Sequence, residues 1–130
     1  MRFFQSLNRI FGMDNDGGSD LDWKKVSSKE NLSEIIKASG QKPQVIYKHS
    51  TRCATSFFAL KNIQGLSEET KEKAEFYIVD VIKQRELSYF IAERFGIKHE
   101  SPQVFILRNG DVLWNGSHHE VNAESLQTYI

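Results

Sequence analysis

One cysteine, Cys53, stands in the segment Thr51-Arg52-Cys53-Ala54-Thr55-Ser56, where an apolar strand gives way to the start of a helix. Disulfide chemistry runs on the thiolate, and a helix N-terminus aims unpaired N–H groups and partial positive charge at a sulfur placed there. A free cysteine is often no more than a small buried hydrophobe. Here the cation Arg52, the hydroxyls of Thr51, Thr55 and Ser56, and the position at an element boundary point instead to a reactive thiol. With one cysteine in 130 residues, no intramolecular disulfide can form. Any disulfide this chain makes joins it to another molecule.

The elements that must hold Cys53 follow from periodicity and punctuation. Trp23 to Val26 reads as a short strand, and Ser27 with Glu30 three residues on reads as a capping box. It opens a helix through about Ala38, stopped by Gly40, with Leu32, Ile35 and Ile36 toward a core. Pro43 precedes the strand Gln44 to Lys48, and the turn His49 to Arg52 leads into the Cys53 helix. That helix carries Phe57, Phe58, Leu60 and Ile63 as its apolar residues and ends near Gly65; Ser67 to Lys73 reads as a polar helical turn.

Phe76 to Val81 is the next strand, so strand, helix and strand predict a parallel pair with a right-handed crossover. A helix from about Arg85 follows, with Leu87, Phe90, Ile91 and Phe95 as its stripe and Gly96 as its stop. After the loop Ile97 to Ser101, Pro102 precedes the strand Gln103 to Arg108. Asn109-Gly110 signals a type I′ hairpin into Asp111 to Trp114. Asn122 caps a final helix with Leu126, Tyr129 and Ile130 on one face. The order is β-α-β-α-β-α-β-β-α, a thioredoxin-like α/β fold with a central mixed sheet flanked by helices.

Residues 21–130 make this domain, and residues 1–20 stand apart from it. Phe3, Phe4, Leu7, Ile10 and Phe11 recur at helical spacing with Arg2 and Arg9 between them, and Gly12 to Asp20 reads as a flexible linker. Two arginines supply little of the polybasic attraction that membrane attachment needs. Docking on the domain's own surface is therefore favoured over membrane contact. Seventeen basic and seventeen acidic side chains leave no electrostatic footprint for a nucleic acid. The single cysteine suits a reducing cytoplasm.

Three stretches together resemble the monothiol bacilliredoxins of the bacillithiol system: Lys48-His49-Ser50-Thr51-Arg52-Cys53-Ala54-Thr55-Ser56, Lys98-His99-Glu100-Ser101-Pro102-Gln103 and Trp114-Asn115-Gly116-Ser117-His118. The likeness spans roughly residues 21–130. It implies a cytoplasmic thiol–disulfide exchange protein that removes bacillithiol from mixed disulfides on other proteins, with no bound cofactor and bacillithiol as thiol co-substrate. The family's cysteine maps onto Cys53 and its cysteine-x-x-serine pattern onto Cys53 and Ser56. Ala54 replaces the proline that often follows the cysteine.

On this reading Cys53 and Ser56 are catalytic, the hydroxyl of Ser56 donating to the thiolate, and Arg52 with the helix N-terminus lowers the thiol's pKa. The substrate lies against Lys48, Thr51, Arg52, Ala54, Thr55, Ser101 and Pro102. Lys48 and Arg52 are placed to steer the carboxylates of bacillithiol. The resemblance places a cis Pro102 beside the nucleophile, leaving the backbone of Ser101 open to an extended substrate segment. His49 reads either as a proton-transfer aid or as a solvated side chain, and His99, His118 and His119 show no metal-ligand spacing. Two alternatives remain: a thioredoxin-like binding module without catalysis, and a glutaredoxin-like iron–sulfur carrier.

Overall fold

The computed structural model describes residues 21–130; the amphipathic arm expected over residues 2 to 11 and its linker lie outside them. The strands are β1 (Lys24–Lys25), β2 (Gln44–His49), β3 (Glu75–Asp80), β4 (Gln103–Arg108) and β5 (Asp111–Ser117). The helices are α1 (Lys29–Ala38), α2 (Ala54–Gln64), α3 (Glu68–Glu72), α4 (Arg85–Phe95) and α5 (Ala123–Tyr129). A 3-10 turn at His118–Glu120 joins β5 to α5. The strands form one mixed sheet in the order β1-β3-β2-β4-β5. β1 and β2 run parallel to β3, whereas β4 runs antiparallel to both β2 and β5.

Helices cover both faces of this sheet, and the alternation of side chains along each strand sorts the core into two layers. Val45 and Tyr47 of β2, Phe76 and Ile78 of β3, and Val104 and Ile106 of β4 meet Ala59, Leu60 and Ile63 of α2 and Leu126 of α5. On the other face Ile46, Val79, Phe105 and Leu107 meet Leu32, Ile35 and Ile36 of α1 and Ile91 of α4. Every residue of β2 is buried, as expected of a central strand covered on both sides. Lys48 shares the parity of Ile46, so its side chain enters the layer beneath α1 and α4.

Local chemistry accounts for the element ends. Asn109 and Gly110 take φ of 54° and 84° in the β4–β5 turn, the left-handed pair that a type I′ hairpin requires. A Cβ on Gly116 would lie 2.6 Å from the Trp114 ring, so glycine there lets Trp114 lie flat against Tyr129, with centroids 5.2 Å apart. The cap of α1 falls one residue later than the Ser27–Glu30 pattern predicts. Ser28 Oγ accepts the N–H of Asn31 at 2.9 Å, while Asn31 Oδ1 accepts the N–H of Ser27 at 3.0 Å. The asparagine side chain takes the reciprocal role expected of Glu30.

A second departure concerns α2. Of the apolar residues it carries, Phe58 is 59% exposed, because the buried stripe runs through Ser56, Ala59, Leu60 and Ile63. Those positions follow the 3.6-residue period, and Phe58 falls off it. Among the described residues no helix is long and apolar enough to cross a membrane.

Candidate active site

The chain leaves β2 through α2 on one face of the sheet and leaves β3 through α4 on the other. Adjacent strands whose connections diverge in this way open a crevice at their C-terminal ends, where open α/β sheets bind their ligands. Cys53 lies at that edge. The N–H of Val81 donates to the carbonyl of His49 at 2.9 Å, joining the ends of the two strands. Lys48 pairs with Gln103 across the antiparallel ladder, so the segment preceding β4 comes to the same edge.

Cys53 is the N-cap of α2, with extended φ and ψ of −122° and 120°. Its N–H donates to Ser50 O at 3.3 Å, and the Ser50 hydroxyl accepts from the N–H of Arg52 at 3.3 Å. This turn delivers the thiol, free and half-buried, to the first turn of the helix. Its pKa is lowered, chiefly by the main-chain N–H of Ser56 and further by the N–H of Thr55 and both hydroxyls, while partial burial opposes the shift. These are the orphan donors of a helix N-terminus. Arg52 is not among the causes, which corrects half of the sequence expectation; the residue lines a neighbouring cavity.

Ser56 is fully buried, and its Oγ has no hydrogen-bond partner. It influences the thiol without meeting hydrogen-bond geometry to it, so the hydroxyl is free to turn toward the sulfur as charge develops. Ser56→Ala keeps the largest cause of the lowered pKa, the main-chain N–H. The inflection of alkylation rate against pH is therefore expected to move only part of the way up toward that of a free small-molecule thiol. Stability should not fall, because the lost hydroxyl satisfies nothing. A full return to ordinary thiol behaviour would assign the effect to the hydroxyl rather than the helix.

Behind the nucleophile, Tyr47 Oη donates to Ser56 O at 2.7 Å and lies 3.0 Å from His49 Nδ1. The single phenol proton is committed to the carbonyl, so Nδ1 of His49 is the donor in the second contact. His49 is buried, and burial holds its pKa down at about 4. It is neither the solvated histidine nor a thiol-bonded proton carrier, but a neutral part of the support under α2.

Lys48 is completely buried. Its Nζ lies 3.0 Å from His99 Nδ1 and 5.5 Å from the centre of the Phe105 ring. Burial lowers its pKa to about 8. His99 Nδ1 also lies 3.3 Å from the buried Ser88 hydroxyl, and the ring packs on Tyr89 with centroids 4.7 Å apart. The pKa of His99 is lowered by burial and by Lys48, against the opposing pull of Glu100. A protonated lysine has only donors, so Nδ1 accepts and Nε2 carries the ring proton. Lys48 thus meets the site's edge through His99 rather than at the surface.

Thr51, Ala54 and Thr55 are exposed around Cys53. The Ser101–Pro102 peptide is cis, and Pro102 O accepts the N–H of His118 at 3.0 Å. Among the described residues the main chain of Ser101 makes no hydrogen bond, and its buried Oγ has none. Among these residues, too, no group of three or more histidine, cysteine or acidic side chains is disposed to hold a metal. Arg85 and Tyr89, which the sequence does not single out, and His99, weighed there only as a metal ligand, line the cavity next to the Cys53 turn. Their signal was topological: the loop after β3 and the loop before β4 both had to meet the Cys53 turn.

Residues 24–126 match the family described as Monothiol bacilliredoxin BrxC. A solved structure described as having a thioredoxin fold is 32% identical, with a TM-score of 0.73 over 82% of this chain and 92% of that one. The thioredoxin of Malassezia sympodialis is 22% identical, with a TM-score of 0.65 over 88% of this chain and 92% of its own. Fasciola hepatica thioredoxin, at 16% identity and a TM-score of 0.64, covers 82% of this chain and 99% of its own. The latter two speak to the fold alone.

Proposed function

The chain belongs to the monothiol bacilliredoxin BrxC family, whose members remove bacillithiol from protein mixed disulfides, and we propose that Cys53 is the sulfur that accepts it. One observation carries this assignment. The single thiol caps α2 with its pKa lowered by the N–H groups of that helix.

In the first step the Cys53 thiolate attacks the bacillithiol sulfur of the modified protein. A Cys53–bacillithiol disulfide forms, the old disulfide breaks, and the electron pair leaves on the protein's thiolate, which takes a proton from water. In the second step the thiolate of a free bacillithiol attacks the adduct, regenerating the Cys53 thiolate and releasing oxidised bacillithiol. Thr51, Arg52, Ala54 and Thr55 surround the sulfur, and Ser56 stabilises its charge. The open main chain of Ser101, preceding Pro102, offers an extended substrate a strand-like pairing edge. Bacillithiolated proteins and free bacillithiol are the partners, in a reducing cytoplasm.

No second cysteine resolves the adduct. With bacillithiolated test protein and no free thiol, one equivalent of reduced protein per Cys53 is expected, after which release stops. Added bacillithiol should restart it. Release well beyond one equivalent in the absence of free thiol would refute the two-step scheme.

A further inference from the structure

Beside Cys53 lies a cavity of about 280 Å³ lined by Arg52, Val81, Ile82, Arg85, Tyr89 and His99. Its charged lining is wholly cationic: two guanidinium groups, and no carboxylate. Neither arginine forms an ion pair with an acidic side chain among the described residues. Other cavities differ. One beneath β1 mixes Lys42 and Lys71 with Asp22, Glu68, Glu72 and Glu75, and one beside Trp114 carries Glu120 and Glu124. Arg52 and Arg85 both line this space, Arg85 also bordering a groove with Lys29, Lys83 and Glu86, and two guanidinium forks without a carboxylate partner suit planar anions.

The rest of the wall adds to this. Arg85 is the first residue of α4, an eleven-residue helix whose N-terminal partial positive charge adds to that of the side chains. His99 turns its Nδ1 toward Lys48 and Ser88, which leaves a ring that lines the cavity with its proton on Nε2. Ile82 and Tyr89, 42% and 52% exposed, give the space an apolar rim. The volume falls just below the roughly 300–1,000 Å³ of small-molecule sites. It admits part of a low-molecular-weight thiol and excludes a folded segment.

Bacillithiol carries its sulfur on a cysteinyl group and two carboxylates on a malyl group across one sugar ring. Resting on Cys53 as the sulfur that exchanges with bacillithiol, we propose that this cavity is the subsite for the malyl carboxylates, gripped by Arg52 and Arg85 with His99 as a further donor. Arg52 immediately precedes Cys53, so sulfur and cavity are within reach of one small ligand. Recognition of the free thiol and of the bacillithiolated protein then uses the same grip. The target protein itself need not be read.

The test compares two disulfides on the full chain: oxidised bacillithiol, and the same cysteinyl-glucosamine disulfide with a methyl group in place of malyl. Adduct formation on Cys53 is followed by stopped flow and mass spectrometry for wild type, Arg85→Gln, Arg85→Lys and Arg52→Gln/Arg85→Gln. Wild type is expected to prefer the malyl compound by about tenfold or more, as charge-assisted pairs allow. Arg85→Gln should lose most of that preference, Arg85→Lys part of it, and the double variant all of it. The preference is read as the ratio of the two rates within each variant, so that a general change in the reactivity of Cys53 cancels. Equal wild-type rates for both compounds, or a preference that survives the double variant, would overturn the subsite and leave Cys53 exchange intact. Failure of wild type to react with either compound would instead overturn the exchange reading and the subsite with it.

Discussion

Cys53→Ser is expected to lower the release of bacillithiol from a modified protein to the uncatalysed rate given by free bacillithiol alone. No other thiol is present to accept the group, and a serine hydroxyl neither ionises near neutral pH nor forms a disulfide. The loss belongs to chemistry rather than folding. Cys53 is half-buried and makes no side-chain capping bond, so its exchange for serine removes little packing. The unfolding free energy is expected to stay within about 0.5 kcal/mol, as for surface substitutions. A stable variant that still released reduced protein at the wild-type rate would make Cys53 a bystander.

Lys48→Met is expected to stabilise the protein at pH 7. The folded state holds this buried ammonium at a pKa of about 8, against an ordinary 10.5. Between those values the unfolded chain keeps a proton that the folded chain releases, so stability rises with pH across that window. Below pH 8 the full penalty is in force, on the order of 2–3 kcal/mol. Losing the contacts to His99 and Phe105 offsets about 1–2 kcal/mol of what methionine recovers. Urea unfolding at several pH values separates the two effects: the advantage of the variant should shrink from pH 8 to 10.5. A difference that is destabilising and independent of pH would contradict an unpaired buried charge.

A lysine held at such a cost is a mark of function more often than of stability. Its pairing with His99 supplies a reason, since it fixes the tautomer of a ring that faces the cavity beside Cys53. From the sequence Lys48 counts among the groups that contact the substrate, whereas its side chain is buried. Within Gln44 to His49 the apolar run on both parities already implied a strand covered on both faces, where a lysine has to be interior.

Much of the architecture was legible because it rests on local signals. The Asn109-Gly110 turn, the Asn122 cap and the left-handed Gly96 at the end of α4 each depend on a few adjacent residues, and each is found as expected. The thiol at the first turn of α2 was legible for the same reason. What was misread depends on partners distant in sequence or on competition between near-equal candidates. Ser27 and Ser28 both suit a cap, and only the reach of the Asn31 side chain decides between them. Arg52 adjoins Cys53 along the chain, yet it lines a space shared with Arg85 and His99, residues 33 and 47 positions away in numbering.

Intact mass spectrometry of the full chain mixed with a bacillithiolated test protein addresses the assignment of Cys53 most directly. Appearance of reduced test protein together with one bacillithiol on the chain, mapped by peptide analysis to Cys53, is the expected result. Reduced test protein without an adduct on Cys53, or an unmodified chain beside a test protein that keeps its bacillithiol, would contradict it.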